Sequence, residues 1–107
     1  MEAAIDGYAL RIGALEIRPN EYEALASGER LPLTVRELDL LTALAERPDR
    51  IVRREELYRV VWGEPYRKSD RSVDVYIGRL RHKLGEALPG QTLIHTHFGF
   101  GYRLSSG

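Results

Sequence analysis

The segment DRSVDVYIGRLRHKL, residues 70–84, decides the fold because it predicts a helix with two unlike faces. At about 100° per residue its aliphatic side chains fall on one line, which predicts a stripe buried against the rest of the domain. A helix buried on one side and polar or cationic on the other is typical of helices that enter the major groove of DNA. The stripe is Val73, Ile77, Leu80 and Leu84; the opposite face is Arg71, Val75, Gly78 and His82, with Ser72, Arg79 and Arg81 at its edges.

The composition indicates one soluble domain with a modest core. The chain has 107 residues, of which 43% are hydrophobic, and this length is too short for two domains. It contains no cysteine, which excludes disulfides and thiolate metal sites and is compatible with a reducing compartment. No apolar run approaches the roughly 20 residues of a membrane span, and residues 1–20 do not resemble a signal peptide. We therefore expect a cytoplasmic protein.

The net charge of zero conceals an uneven distribution of charge along the chain. Residues 1–52 contain 6 Lys or Arg and 10 Asp or Glu, whereas residues 53–107 contain 10 and 6. Such a dipolar domain can present one positive face to a nucleic acid, although an ordinary solvated surface is the alternative. The clustering of cations on one segment favours nucleic-acid binding over a solvated surface. The cations of residues 66–84 are Arg67, Lys68, Arg71, Arg79, Arg81 and Lys83.

Short strands are expected in residues 1–33, where apolar and polar residues alternate between turn residues. The pattern is broken at Gly13, at Pro19–Glu21 and at Gly28. Because the breaks lie so close together, neighbouring strands are expected to pair antiparallel. The predicted strands are Tyr8–Ile12, Leu15–Arg18, Tyr22–Ala26 and Leu31–Leu33.

Three helices are expected over residues 34–85. The first begins with a capping box, in which the Thr34 hydroxyl accepts from the Glu37 amide while the Glu37 carboxylate accepts from the Thr34 amide. Pro48 stops this helix. Its expected buried face is Leu38, Leu41, Leu44 and Ala45.

The second helix is expected from Arg54 to Trp62. It has acids in its first turn but no good N-cap, because Arg53 stands where a serine or threonine is favoured. The third helix is expected to be capped by Ser69 or Asp70 and to end at Gly85, in the left-handed terminator position. On the second helix the side chains expected to face inward are Leu57, Val60 and Val61.

A β-hairpin is expected after the helices, at residues 92–104. Strands followed by three helices and a hairpin describe a winged helix-turn-helix, in which the hairpin is the wing. The sequence therefore predicts a single α+β domain over residues 1–107. The predicted strands of the wing are Thr92–Thr96 and Phe100–Leu104, with a tip at His97-Phe98-Gly99.

Four segments of the chain carry a family resemblance: LPLTVRELDLLTALAERPDRIV (31–52), REELYRVVWG (54–63), DRSVDVYIGRLRHKLG (70–85) and GFGYRL (99–104). In this order they resemble the C-terminal DNA-binding effector domain of OmpR/PhoB-type response regulators. The similarity covers nearly all of residues 8–104, and four segments together are far more specific than one. The resemblance implies an N-terminal four-stranded antiparallel sheet, a three-helix core and a C-terminal hairpin wing.

The resemblance also implies how such a domain is used. The helix 70–84 would lie in the major groove, the wing would meet the neighbouring minor groove, and two copies would bind direct repeats head to tail. The loop 63–69 would touch RNA polymerase through Glu64, Pro65, Tyr66, Arg67 and Lys68. Phosphate contacts are implied for Trp62, Arg71, Ser72, Arg81, Thr96 and Tyr102, and base reading mainly for Arg79.

Elementary chemistry supports several of these roles independently. An arginine at position 79 can bond guanine O6 and N7 together, which discriminates by about 1–3 kcal/mol, and Val75 offers an apolar surface to the thymine methyl group. Arg71 lies near the positive end of the helix dipole. The structural alternatives are Trp62 as a core anchor, Tyr102 as packing within the hairpin, and Arg81 paired with Asp74 or an N-terminal acid.

Three features depart from the family pattern. Gly78 stands where relatives commonly carry an arginine, and a mid-helix glycine costs about 1 kcal/mol relative to alanine; close approach to DNA and neutral drift both remain open. Phe98 stands in place of a wing-tip arginine. It is expected to fold back onto the domain rather than to wedge into a base step or meet a protein. No receiver domain with a phosphoacceptor aspartate is present, so we expect an excised part of a longer protein, with a stand-alone regulator as the alternative.

Enzymatic chemistry is not expected. His82, His95 and His97 lack the cysteines or clustered carboxylates of a metal site, and nothing resembles a nucleophile elbow or a phosphate-binding loop. No metal and no cofactor are therefore expected. The expected partners are double-stranded DNA, a second copy of the domain and RNA polymerase. The alternative function is a protein-interaction module that has lost DNA affinity, which the neutral charge, Gly78 and Phe98 would favour.

Overall fold

The N-terminal part of the protein is a four-stranded antiparallel sheet, as the family resemblance implies. The computed structural model describes residues 8–106; residues 1–7, within the predicted sheet region, and Gly107 lie outside the described residues. Neighbouring strands pair in chain order, β1-β2-β3-β4. The strands are β1 Leu10–Ile12, β2 Leu15–Arg18, β3 Glu23–Ala26 and β4 Glu29–Arg30.

The first and third strands begin later than predicted. The strand expected at Tyr8–Ile12 starts at Leu10, and the one expected at Tyr22–Ala26 starts at Glu23. The second difference follows from a single 3-10 turn at Pro19–Glu21, which Tyr22 closes with a left-handed φ of 51°. A residue in that conformation cannot continue the extended chain of a strand.

The fourth strand lies earlier in the chain than predicted. Ser27 and Gly28 have φ of 51° and 83°, which is the geometry of a two-residue hairpin turn. The chain therefore returns at once and pairs as β4. Pro32 follows shortly and has no amide hydrogen with which to extend the ladder. The prediction of a strand at Leu31–Leu33 was wrong, and Leu31 enters the core instead.

The first helix, α1, spans Val35–Ala45 and begins at the predicted capping box. The Glu37 amide donates to the Thr34 hydroxyl at 3.2 Å, and the Thr34 amide donates to the Glu37 carboxylate at 2.9 Å. Two of the four amides that lack a partner at the helix start are thereby satisfied. The predicted buried face is confirmed at Leu38, Leu41, Leu44 and Ala45, and Leu40 and Ala43 are buried as well.

The second helix, α2, spans Arg54–Trp62, as predicted, and lacks a side-chain N-cap. Leu57 is fully buried and Val61 is half-buried, but Val60 is 49% exposed, so its predicted inward position was wrong. Tyr58 is the second buried side chain of α2. Its ring is held among other aromatic rings, which gives it more contact area than a valine offers.

The third helix, α3, spans Ser72–Ala87 and continues past the glycine that was expected to end it. Gly85 lies within the helix, and the Leu88 amide donates to the Leu84 carbonyl at 2.8 Å. The extra half-turn buries Leu88, which outweighs the low helix propensity of glycine. The predicted end at Gly85 was therefore wrong.

The start of α3 also differs from the prediction, because neither Ser69 nor Asp70 is the N-cap. Arg71 takes that place and makes no side-chain cap bond. Asp70 nevertheless stabilises the first turn, because its carboxylate accepts a hydrogen bond from the Ser72 amide at 2.8 Å. Hydrogen bonds from Ser72 hold the pKa of Asp70 below its ordinary value.

The wing is an antiparallel hairpin within the predicted region 92–104. Val52, between α1 and α2, forms a β-bridge with Tyr102 and so ties the wing to the helical core. No helix within residues 8–106 is long and apolar enough to cross a membrane. The wing strands, β5 Ile94–His97 and β6 Gly101–Leu104, begin one or two residues later than the predicted Thr92–Thr96 and Phe100–Leu104, so the tip is Phe98-Gly99-Phe100.

Candidate nucleic-acid interface

The two faces predicted for α3 are both present. The aliphatic side chains of the stripe are at most 4% exposed, which holds the helix from behind. The opposite face meets solvent, with Val75 at 47% exposure. The buried stripe is Val73, Ile77, Leu80 and Leu84, and the exposed face comprises Arg71, Val75, Gly78, Arg79, Arg81 and His82, with Ser72 half-buried.

Arg79 does not extend freely into solvent but lies over an aromatic ring. Its guanidinium carbon is 4.8 Å from the centre of the Tyr76 ring. The Tyr76 ring in turn meets the Trp62 ring edge-on, with centroids 5.6 Å apart. Sequence reasoning missed Tyr76, although its position three residues before Arg79 places the two side chains on neighbouring turns of one helix face.

Trp62 is held among several partners. It stacks on Tyr58 with ring centroids 5.1 Å apart, and the guanidinium of Arg36 lies 4.8 Å from its centroid. Arg36 also donates to the Val61 carbonyl at 2.9 Å. These contacts join α1, α2 and α3 and match the alternative role of a core anchor, while a phosphate contact stays a prediction.

Arg81 joins α3 to the wing. Its guanidinium donates to the Ile94 carbonyl at 2.9 and 3.2 Å and to the Thr96 hydroxyl. The alternative pairing of Arg81 with Asp74 was wrong, because Asp74 is bound by Arg54. Arg81 and Thr96, both expected at phosphates, are therefore already bonded to each other and hold the wing against α3.

Tyr102 lies at a second junction between the wing and the helices. Its hydroxyl and the Arg54 guanidinium both donate to the Asp74 carboxylate, the latter at 2.7 Å. Burial alone would raise the pKa of Asp74, but these hydrogen bonds outweigh it and hold the pKa below its ordinary value. Burial and the bond to Asp74 raise the pKa of Tyr102. At 4% exposure, Tyr102 matches the alternative role of packing within the hairpin.

The cationic cluster expected from the sequence is divided between internal and exposed side chains. Lys83 is half-buried and donates to the Glu37 carboxylate at 2.7 Å and to the Pro32 carbonyl at 2.9 Å, so its ammonium is already bonded within the domain. Arg81 is used by the wing, as described above. The cations of the cluster that are exposed around α3 are Arg67, Lys68, Arg71, Arg79 and the wing-bonded Arg81.

The wing tip presents two aromatic rings to solvent. Phe98 is 87% exposed and Phe100 is 64% exposed. The expectation that Phe98 folds back onto the domain was wrong. Both residues lie in the turn beyond the last strand pair, His97 with Gly101. A solvent-exposed phenylalanine pair of this kind is typical of a contact surface.

The loop between α2 and α3 is largely exposed, as a surface for a protein partner requires. Tyr66 is its half-buried member, with its ring edge-on to Tyr58 at 5.6 Å. Nothing in the fold tests the expected polymerase contact, which stays a prediction. The other residues named for that contact, Glu64, Pro65, Arg67 and Lys68, are all exposed.

The histidines are not gathered into a site. His82 Nε2 lies 3.4 Å from Glu86 on the surface of α3, and His97 Nε2 accepts from Arg103 at 3.1 Å. Among residues 8–106 there is no group of three or more histidine, aspartate or glutamate side chains able to hold a metal ion.

Comparison with known proteins places this geometry in a family. Residues 28–104 match the family described as "Transcriptional regulatory protein, C terminal". The chain is 40% identical over 95 residues to the transcriptional regulatory protein PrrA of Mycobacterium leprae (strain TN), covering 89% of this chain and 40% of that protein. It thus spans about two fifths of the length of the curated relatives that it matches.

Solved structures with the same fold are similar over nearly the whole chain. The DNA-binding domain of CpxR from E. coli matches with a TM-score of 0.84 and 33% identity, covering 94% of this chain and 100% of that chain. The Klebsiella pneumoniae RstA DNA-binding domain, in complex with the RstA box, matches with a TM-score of 0.83 and 32% identity, covering 92% and 98%. The chain therefore belongs to the OmpR/PhoB-type family of transcriptional regulatory C-terminal domains, with a winged-helix fold.

Proposed function

We propose that the chain is the DNA-binding output domain of a two-component response regulator and that α3 enters the major groove of double-stranded DNA. The observation that carries this proposal is the division of α3 into a buried aliphatic stripe and an exposed cationic face. A helix held in this way can dock without exposing its core. The similar RstA domain, which forms a complex with the RstA box, supports the same use of the fold.

The residues of the exposed face divide into two chemical roles. Arg79 reads a base edge through bidentate hydrogen bonds, and Val75 contacts a thymine methyl group. Arg71 and Ser72 bind phosphate at the helix start, where the dipole favours an anion. His82 lies one turn beyond Arg79 and borders the same groove.

The wing and the helix junctions provide further contacts under this proposal. Phe98 inserts at the minor groove as an apolar wedge, which its exposure permits. Two copies of the domain bind direct repeats head to tail. The loop of residues 63–69 contacts RNA polymerase. The protein acts in the cytoplasm, and it acts by binding, without catalysis. The second set of phosphate contacts comprises Trp62, Arg81, Thr96 and Tyr102.

The first test is selection of bound duplexes from a random pool, followed by a salt titration. Four exposed cations other than the base-reading Arg79 are available to neutralise phosphates, namely Arg67, Lys68, Arg71 and Arg81. We therefore expect log K to fall against log salt with a slope of about −4. The measurement is fluorescence anisotropy with the selected duplex and with a scrambled duplex. Absence of binding to either duplex at low salt would contradict the proposal and favour the protein-interaction module.

The second test separates phosphate contacts from base contacts. Arg71→Ala is expected to weaken binding of the selected duplex and of the scrambled duplex by similar factors, because phosphates carry no sequence information. Arg79→Ala is expected to remove discrimination at one base pair, about 5- to 150-fold. The measurement is the affinity for every single-base-pair variant of the selected duplex.

The control for these arginine substitutions is Arg30→Ala, because Arg30 is exposed in the N-terminal sheet. It should leave both the affinity and the base preference unchanged. If Arg71→Ala and Arg79→Ala give the same profile across the duplex variants, the assignment of separate roles is wrong.

A further inference from the structure

We propose that Tyr76 is a positioning residue that sets the direction of Arg79 for base reading. The inference rests on the proposed function, since it concerns the same face of α3. The observation behind it is the stack of the Arg79 guanidinium over the Tyr76 ring, 4.8 Å from the ring centre. Cationic groups at this distance are attracted by the negative face of an aromatic ring.

The stack directs Arg79 toward the start of the helix. Side chains on a helix lean toward its N-terminus, and Tyr76 lies three residues, nearly one turn, before Arg79. The guanidinium is thereby drawn back along the axis toward the N-terminal half of α3, the half with which recognition helices read bases. Without the ring, the long arginine side chain would sample many rotamers and lose entropy when it binds a base.

The Tyr76 ring is held in place by a series of contacting aromatic rings. It meets Trp62 edge-on at 5.6 Å, and Trp62 is stacked on Tyr58 at 5.1 Å with planes only 5° apart. Tyr58 is 9% exposed and meets Tyr66 at 5.6 Å. The platform under Arg79 is therefore anchored in the core of the domain rather than mobile on its surface.

The substitutions Tyr76→Leu and Tyr76→Phe test this role. Tyr76→Leu removes the ring, so discrimination at the base pair read by Arg79 is expected to fall about two- to fivefold. Tyr76→Phe keeps the ring and should retain discrimination within about twofold. Affinity for the scrambled duplex should be nearly unchanged in both variants, because phosphate contacts do not depend on the direction of Arg79.

The experiment uses the whole chain and the duplex selected with it from a random pool. The base pair read by Arg79 is identified as the one at which Arg79→Ala loses discrimination. Tyr8→Leu is a matched control, because Tyr8 precedes β1 and hydrogen-bonds Glu46 at the end of α1. The free protein provides a second readout: ring currents should shift the Arg79 Hε resonance in the wild type and in Tyr76→Phe but not in Tyr76→Leu.

The outcomes distinguish this inference from the proposed function. Failure to select any duplex would contradict both the proposed function and the inference that rests on it. Where the wild type discriminates, equal or greater discrimination by Tyr76→Leu overturns the inference alone, because the ring would then be neutral or would hold Arg79 away from DNA. Equal losses in Tyr76→Phe and Tyr76→Leu also overturn it, since the hydroxyl would then be a direct contact. An unchanged base preference in the Arg79→Ala variant would also overturn the inference, because Arg79 would then read no base.

Discussion

Gly101→Ala is expected to destabilise the domain by about 3–5 kcal/mol, from overpacking and backbone strain together. Gly101 has a φ of 147°, which side-chain-bearing residues rarely adopt, and an added Cβ would lie 2.1 Å from the Val52 carbonyl oxygen. That oxygen accepts the Tyr102 amide at 3.0 Å. The methyl group would therefore force apart the bridge that ties the wing to the core. Thermal unfolding should show a midpoint lower by about 15 °C or more.

Gly28→Ala is the matched control for this prediction. Gly28 also has a positive φ, 83°, but an added Cβ would meet nothing within 4 Å. Gly28→Ala therefore measures the cost of an alanine in a left-handed turn without a steric clash, and a loss of only about 1 kcal/mol is expected. Equal losses in Gly101→Ala and Gly28→Ala would show that the close approach of the wing to Val52 is not a constraint on stability.

The elements that could be predicted from the sequence are those whose signals are local. The capping box at Thr34 and the spacing of the stripe on α3 depend on residues within a few positions of one another, and both are present as predicted. Two of the wrong predictions, the end of α3 and the inward position of Val60, depend on tertiary packing instead. Gly85 stays helical because Leu88 finds a place in the core, and Val60 stays exposed because an aromatic cluster occupies the inner side of α2.

For the candidate site, too, the sequence predicts what depends on neighbouring residues and misses contacts with distant ones. Sequence periodicity identified which residues of α3 face away from the core, and their exposure agrees with it. Periodicity does not reveal that Arg81 is bonded to the wing or that Lys83 neutralises Glu37 on another helix, because those partners are 13 and 46 residues away. Charge counted along the chain therefore overstates the charge available to DNA.

Lys83→Met is expected to destabilise the domain by about 3 kcal/mol at neutral pH, because it leaves a buried carboxylate without its cation. The Glu37 side chain is 3% exposed and bonds the Lys83 ammonium at 2.7 Å. The double variant Glu37→Gln/Lys83→Met removes both charges and should recover much of the loss. Urea unfolding of the two single variants, the double variant and the wild type gives the coupling between the two side chains.

The pH dependence of the Lys83→Met loss identifies its cause. In the wild type burial tends to raise the pKa of Glu37, but hydrogen bonds from Lys83 and Thr34 outweigh it and hold the pKa below 4.5. The stability that this carboxylate contributes is therefore present above pH 4.5 and is lost as the pH falls through the lowered value. Without Lys83, only the hydrogen bonds from Thr34 oppose the effect of burial, so we expect the pKa of Glu37 to rise and protonation to relieve the buried charge as the pH falls. The difference in unfolding free energy between Lys83→Met and the wild type should thus shrink as the pH falls from 7 toward 4.5, whereas a difference independent of pH would mean that lost packing, not charge, is the cause.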